Sequence, residues 1–318
     1  MIMKIAVLTS GGDAPGMNAC VRAVVRSAIN YGFEAYGVFD GYKGLVEGKI
    51  KRMERNDVGQ ILNRGGTILG SSRLESFKEK EVRQIAVNNL KALEIENLIC
   101  IGGDGTFRGA MALNEMGIKC IGIPGTIDND IACTEFTIGF FTALDTAIDA
   151  IDKLRDTSFS HQRCTVVEVM GRNCGDLSIF SGIATGAEIV ITKDTGYNEA
   201  DILKQVQKAE SMGKRHLIVV VAEHITDVKI LAEKIQENSG YEARATVLGY
   251  IQRGGTPSAF DRVLASKMGV HAVELLSEGK GGYAVYTKSL DVGHIEFDKA
   301  LIQENKPSDL YKYLSKLN

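Results

Sequence analysis

Three carboxylates, Asp104, Asp128 and Asp130, lie in two glycine-bearing turns, Gly102-Gly103-Asp104-Gly105 and Pro124-Gly125-Thr126-Ile127-Asp128-Asn129-Asp130, each preceded by a short apolar run. Glycines at the end of a strand let backbone N–H groups approach phosphate oxygens, and a helix that starts there offers the same anion its positive end. Carboxylates gathered this closely repel one another unless a Mg²⁺ ion and a proton-accepting role relieve the repulsion. The chemistry indicated is phosphate binding beside a metal and a base. Either turn alone could instead be a helix cap or a closed turn, where Asp is common; both turns in one unit favour the functional reading.

The elements that must position these groups follow from periodicity. Apolar runs at 98–101 and 120–123, bounded by glycines, suit strands buried on both faces, and 107–116 has room for a three-turn helix between them. The resulting βαβ unit puts both turns on the carboxyl edge of a sheet, where ligands of open α/β sheets bind. A second strand, turn and helix occupy 4–8, 9–18 and the residues after them, with Val21, Val24, Val25, Ala28 and Ile29 on one helical face. Arg22 and Arg26 share a face there, either to meet an anion or to sit in solvent. Residues 34–39 read as a strand leading to Tyr42, a ring that could stack on a base or simply pack, and 63–73 is a glycine-rich loop bearing Arg64 and Arg73. A helix over 79–93 presents Val82, Ile85, Ala86, Leu90 and Leu93.

Residues 137–141 read as a crossing into a second domain, followed by a helix over 142–155 and a strand over 165–169 that ends in Met170-Gly171-Arg172. Strands at 188–192, 217–222 and 244–248 alternate with helices at 200–212 and 227–238, and a helix at 260–278, a strand at 283–287 and a charged tail from 305 complete the chain. This alternation predicts two doubly wound α/β domains with largely parallel sheets and the active site in the cleft between them.

Composition narrows the class. A hydrophobic fraction of 44% with 24% charged residues in 318 is ordinary for a globular protein with a sizeable core. The net charge of −3 provides no global field for nucleic acid or an anionic membrane. Apolar runs fall far short of the roughly 18 residues of a membrane helix, and the amino terminus lacks a signal-peptide pattern, so cytoplasmic residence is the default. Six scattered cysteines without a C-x-x-C pair read as reduced core thiols. Carboxylates and glycine loops in the first half suit a Mg²⁺-nucleotide, while Arg163, Arg172, Arg244 and Arg253 suit a phosphorylated substrate.

The motifs GGDAPGMN at 11–18, GGDGT at 102–106, PGTIDND at 124–130, SHQR at 160–163, VEVMGR at 167–172, RATVLG at 244–249 and IQRGG at 251–255 together resemble the bacterial ATP-dependent 6-phosphofructokinase family. The resemblance runs in order through nearly the whole chain and weakens after about residue 288. It implies transfer of the ATP γ-phosphoryl to the 1-hydroxyl of fructose 6-phosphate with Mg²⁺. It also implies a larger ATP-binding domain of 1–139 plus 252–305 and a smaller sugar-phosphate domain of 140–251 plus 306–318.

By the same resemblance the catalytic residues are Asp128, the general base, Thr126 and Arg172, which stabilise the phosphoryl group in flight, and Gly12, while Asp104 and Asp130 serve the metal. Gly12, Arg73, Gly103, Asp104, Gly105 and Thr106 line the ATP site. Thr126, Asp128, Met170, Gly171, Arg172, Glu223, Tyr250 and Arg253 hold fructose 6-phosphate, with Arg163 and Arg244 supplied by a neighbouring subunit of a homotetramer. Arg22, Arg26, Arg55, Arg155, Glu188, Lys214 and His216 match an effector site, implying ADP and phosphoenolpyruvate as regulators; Asn56 and Met212 stand where relatives can carry an aromatic and a basic residue. Tyr250 replaces a common His, and Gly105 and Gly125 replace the Asp and Lys typical of pyrophosphate-dependent relatives, which favours ATP as donor. A non-catalytic sensor with the same fold is the reading from another class, and the intact Asp128, Thr126 and Arg172 argue against it.

Overall fold

A computed structural model describes residues 2–303 and 308–317. In chain order the strands are β1 (Lys4–Thr9), β2 (Glu34–Val38), β3 (Ile50–Met53), β4 (Asn97–Gly102), β5 (Lys119–Pro124), β6 (Arg163–Val169), β7 (Ile189–Ile191), β8 (Leu217–Ala222), β9 (Glu242–Val247), β10 (Tyr283–Lys288) and β11 (Asp291–Glu296). They form a seven-stranded sheet, β11-β10-β5-β4-β1-β2-β3, and a four-stranded sheet, β7-β8-β6-β9. Over its described residues the chain divides into one compact unit of Met1–Ile127, Ile131–Thr142 and Arg253–Glu304 and another of Asp128–Asp130, Ala143–Gln252 and Asn305–Asn318. The domain boundary expected between 305 and 306 lies outside the described residues.

In the first unit β1, β2, β4, β5 and β10 run parallel, while β3 and β11 close the two edges antiparallel. Every residue of β4 is buried, as an apolar run covered by helices on both faces must be. One side of this core gathers Leu8, Leu90, Leu98, Phe107 and Leu113. The connections lead away from β1 in opposite directions, to β2 on one side and to β4 on the other, so the turns after β1 and β4 flank the point where chain order reverses. The helix Met17–Asn30 packs on the helix Ala259–Ser277, where a Cβ at Gly269 would come within 2.8 Å of Ala23 Cβ.

The second unit's sheet is wholly parallel, with β6 and β8 central and a core of Val166, Ile202, Val219, Leu231 and Ile235. Its order reverses between β6 and β9, which brings the turns after β6, β8 and β9 to one edge.

Several expectations shift in detail. The helix of the 79–93 region spans Lys80–Ala92 and buries Ala86, Val87 and Leu90, leaving Ile85 and Leu93 exposed. Asn89 explains the rotation, because its side-chain amide donates to the carbonyls of Leu45 and Val46 and fixes which face turns inward. The helix expected over 142–155 runs Phe140–His161, and Ser158 and Ser160 in its last turns donate to the Leu154 and Asp156 carbonyls. The helix Asp176–Thr185 was not anticipated, since Ser, Gly and Thr blur its apolar period. Nor were β3 and β11, polar edge strands without clean alternation.

Candidate active site

The glycine turns of the first unit are tied together by short hydrogen bonds. Ser10 N–H donates to Ile101 O (2.9 Å), Gly125 N–H to Gly102 O (3.1 Å), and the buried Thr106 hydroxyl to Ser10 O (3.2 Å). Gly102 has no room for a side chain, as a Cβ there would lie 2.3 Å from Ser10 O and 2.4 Å from Thr106 Oγ1. Tyr42 resolves as a packing residue: its buried ring covers Gly109 and its hydroxyl donates to Thr106 O at 2.6 Å, so it takes no part in base stacking.

Asp104 is exposed and opens the helix Asp104–Glu115, whose N-cap is Gly103. Cβ positions at Gly103 and Gly105 meet nothing within 4 Å, so the space above this turn is open to a ligand. Gly12 is constrained by a close approach instead, since its Cβ position lies 2.6 Å from Arg253 Nη1. Arg253, which falls in the segment 252–305 expected with the larger domain, lies in the first unit and reaches the first glycine turn. Ser71 donates to Gly11 O (2.6 Å), tying the segment of the exposed Arg73 to that turn. Buried Asn18, which the sequence reading passed over, holds the glycine-rich loop by donating to Arg64 O and Gly65 O and accepting from Ile68 N–H at 2.7 Å. Thr126 is fixed at both backbone groups: its N–H donates to Ile138 O (3.1 Å) and its carbonyl accepts from Thr137 Oγ1 (2.6 Å).

The second unit contains Asp128, Asp130, Arg172 and Glu223. Asp128 is 8% exposed and precedes Asn129, which adopts a left-handed conformation (φ 52°) and donates through Nδ2 to Asp176 Oδ2 at 2.8 Å. Burial pushes the Asp176 carboxyl up, and the hydrogen bonds from Asn129 and Cys174 pull it back. Asp130 Oδ2 lies 3.6 Å from Arg172 Nη1. Arg172 itself is left-handed (φ 55°), following Gly171 at φ 145°, a backbone that is costly for a side-chain-bearing residue unless its surroundings hold it. Glu223 supplies the hold: one carboxylate oxygen accepts from Gly171 N–H (3.2 Å) and Arg172 N–H (2.7 Å). Fully buried Gln252, another residue missed in the sequence, accepts from Met170 N–H at 3.3 Å and donates to Gly249 O. Tyr250 stands 80% exposed on the same turn, which rules out a core packing role within the chain.

Arg163 and Arg244 are not brought to that edge. Arg163 opens β6, about 20 Å of strand from the turn at Met170 at roughly 3.3 Å per residue, and Arg244 pairs in register with Thr165. Both bond Glu242, Arg163 Nε at 2.8 Å and Arg244 through Nη2, and the two guanidinium groups hold that carboxyl below its usual range.

The residues matching an effector site fall in both units. In the second, Arg155 meets His216 Nε2 (3.1 Å) and donates to Thr185 O, while Glu188 receives Lys214 Nζ at 3.3 Å and Ile218 N–H at 2.8 Å. Burial lowers the His216 pKa, with Arg155 and Lys214 adding to the shift against Glu188. A cavity of about 420 Å³ opens beside Glu188, between β7 and the helix Glu199–Ser211. In the first unit Arg22 and Arg26 are half-buried, Arg26 Nε is buried without a hydrogen-bond partner, and Arg55 is exposed.

Among the described residues no three His, Cys, Asp or Glu side chains form a metal cage of their own. Asp104 and Asp130 each offer the hard carboxylate oxygen that a divalent cation takes from protein when phosphates and water supply the rest of its shell.

Comparison with known proteins extends over the whole chain. Residues 4–276 match the family model described as phosphofructokinase. The chain is 54% identical over 319 residues, covering 100% of both sequences, to the ATP-dependent 6-phosphofructokinase of Photobacterium profundum. The same identity and coverage hold for the protein of that name from Vibrio campbellii. A solved phosphofructokinase from Saccharomyces cerevisiae superposes with a TM-score of 0.88 at 34% identity over 94% of this chain, which spans 45% of that longer one.

Proposed function

The chain belongs to the phosphofructokinase family, and we propose on that premise that it transfers the γ-phosphoryl group of ATP to the 1-hydroxyl of fructose 6-phosphate, yielding fructose 1,6-bisphosphate and ADP in glycolysis. What supports the reading is found within each unit taken by itself: the first carries open glycine turns, and the second carries buried Asp128 two residues before Asp130, which pairs with Arg172. A binding protein has no use for a sequestered base. The first unit is the nucleotide domain in this reading and the second the sugar-phosphate domain.

Asp128 takes the proton of the sugar 1-hydroxyl as its oxygen attacks the γ-phosphorus. The anchor from Asn129 to Asp176 holds the backbone next to this base. Arg172 and Thr126 face the charge that spreads over the transferred group's oxygens, and fixed donors of this kind are where catalysis of phosphoryl transfer chiefly resides. The clamp by Glu223 is what keeps Arg172 in its left-handed pose. Asp104 and Asp130 are the residues that would hold Mg²⁺, which when bound offsets phosphate charge. Arg253 lies against Gly12, a position suited to neutralising phosphate near the first glycine turn.

Donor choice follows from two glycines. A carboxylate side chain at position 105 would project into the open space above the turn and repel a nucleotide α-phosphate. At Gly125 a Cβ would lie 3.0 Å from Ile101 Cγ2, so a lysine there would need its neighbours to give by a few tenths of an ångström.

The separation of Arg163 and Arg244 from Met170 supports their service to a second subunit, and hence a homotetramer with shared sites. The Arg155, Glu188, Lys214 and His216 cluster supports control by ADP and phosphoenolpyruvate. No helix among the described residues is long and apolar enough to cross a membrane, and cytoplasmic residence with no nucleic-acid or membrane partner is part of the proposal. A coupled assay of fructose 6-phosphate with ATP, then with pyrophosphate, decides the reaction. Turnover with pyrophosphate alone would reverse the donor assignment, and none with either donor would refute the kinase reading.

A further inference from the structure

Asp261 is fully buried in the first turn of the helix Ala259–Ser277 and plays no part in the chemistry described above. The sequence Ser258-Ala259-Phe260-Asp261 has the spacing of an ordinary cap, with Ser258 Oγ accepting from Asp261 N–H at 3.1 Å. The Asp261 carboxylate, however, spends most of its bonds elsewhere. Oδ1 accepts from Gly139 N–H (2.8 Å), and Oδ2 from Thr142 N–H (2.8 Å), Thr142 Oγ1 (2.5 Å) and Ser258 Oγ (3.3 Å). Three of these donors come from the start of the helix Phe140–His161, whose first N–H groups have no partner within the helix.

The segment so held is the one that holds Thr126. Thr137 and Ile138 bond both backbone groups of Thr126, and Ile138 N–H donates to Pro124 O at 3.0 Å. The first glycine turn leans on the same segment: a Cβ at Gly16 would come within 2.7 Å of Ile138 Cγ2, and one at Gly139 within 2.6 Å of Ala14 Cβ. A rigid path therefore runs from a buried carboxylate through Gly139 to the residue facing the transferred phosphate.

We infer that Asp261 is a positioning residue for phosphoryl transfer, fixing Thr126 through Gly139 and the strand-like residues 137–138. The inference rests on the kinase reading. A merely structural cap would add stability independently of Thr126, whereas a positioning residue must be coupled to it.

A double-mutant cycle separates the two. The turnover number and the KM for each substrate are measured for Asp261→Asn, Thr126→Ala and the pair, with Thr142→Val, which removes the hydroxyl that donates to Asp261 and accepts from Ser258 N–H, as a milder perturbation should Asp261→Asn fail to fold. Asp261→Asn keeps the shape but turns an acceptor into an amide facing N–H donors. Loss on the order of 10²-fold in kcat is expected, the scale of a misplaced catalytic group of about 1 Å, with the KM for ATP little changed. In the Thr126→Ala background the same substitution lowers kcat by less than about threefold. Asp227→Asn, at the cap of the helix Val228–Glu237 where Asp227 accepts from Lys229 and Ile230 N–H, is the structural control and combines additively with Thr126→Ala. Equal fold-losses for Asp261→Asn or Thr142→Val with and without Thr126 would overturn the inference while leaving the kinase reading intact. Absence of turnover in the unmodified protein and in Asp227→Asn would refute the kinase reading itself.

Discussion

Replacing Gly12 by Ala tests the close approach between the first glycine turn and Arg253. The new Cβ would lie 2.6 Å from Arg253 Nη1, and ordinary contact begins at 3.4 Å, so the guanidinium must retreat by about 0.8 Å. The obstructing atom is the far end of a flexible side chain, which makes the retreat cheap for folding, and the thermal midpoint should change by no more than a few degrees. The functional cost is larger. A bond between a guanidinium and a phosphate contributes about 1.5–3 kcal/mol and depends steeply on geometry. Losing most of one such bond corresponds to about a ten- to hundredfold loss in kcat/KM. The coupled kinase assay with each substrate varied in turn reads this directly. If the cause is displacement of Arg253, adding Gly12→Ala to an Arg253→Ala enzyme should cost little more. A Gly12→Ala enzyme within threefold of the unmodified one, or full additivity with Arg253→Ala, would refute the reasoning.

Asp128→Asn should lower kcat by about 10²–10⁴-fold, the range of general acid–base catalysis, with fructose 6-phosphate binding retained by calorimetry; near-normal turnover would remove the base. Arg244→Ala and Asp128→Asn chains, each inactive alone, should regain activity when refolded together, since a hybrid oligomer would contain sites lacking neither group; failure to complement would count against sites shared between subunits. The pair His271 Nε2 and His294 Nδ1, 3.2 Å apart, should make stability depend on pH. Burial, His271 and Lys280 depress the His294 pKa against the pull of Glu278, so the unfolded chain binds the proton more readily. The contribution is full above the ordinary value of 6.5 and is lost as pH falls below it, and a His294→Gln variant should show a flatter thermal midpoint between pH 7.5 and pH 5.5.

The parallel strands of both sheets were legible from apolar runs and glycine turns, because strands buried on two faces must be apolar along their length, as β4 and β8 are, whereas the polar edge strands β3 and β11 carried no such signal. The three carboxylates, the glycine turns and the arginines were readable as candidates for phosphate chemistry because two such turns fall in one βαβ unit, although at a single turn Asp commonly serves as a cap. Local sequence could not reveal which polar groups meet across long chain separations. Glu223 clamping the backbone of Arg172, Gln252 holding Met170, Asn18 gathering the loop after Arg64 and Asp261 reaching Gly139 all join segments remote in sequence. Their types are ordinary for surface or cap positions, and only burial marks them as structural. Tyr42 shows the converse: a ring that could have served a base is committed to Thr106 and Gly109. The separation of Arg244 from the turn at Met170 is also a tertiary fact, because the register of β9 on β6 pairs it with Thr165. Sequence by itself determined the α/β class and the chemical groups presented on the strand ends, which depend on residue type and period alone. Tertiary structure decided which backbone each group is held by, because a buried polar atom must find its partner wherever the fold delivers one.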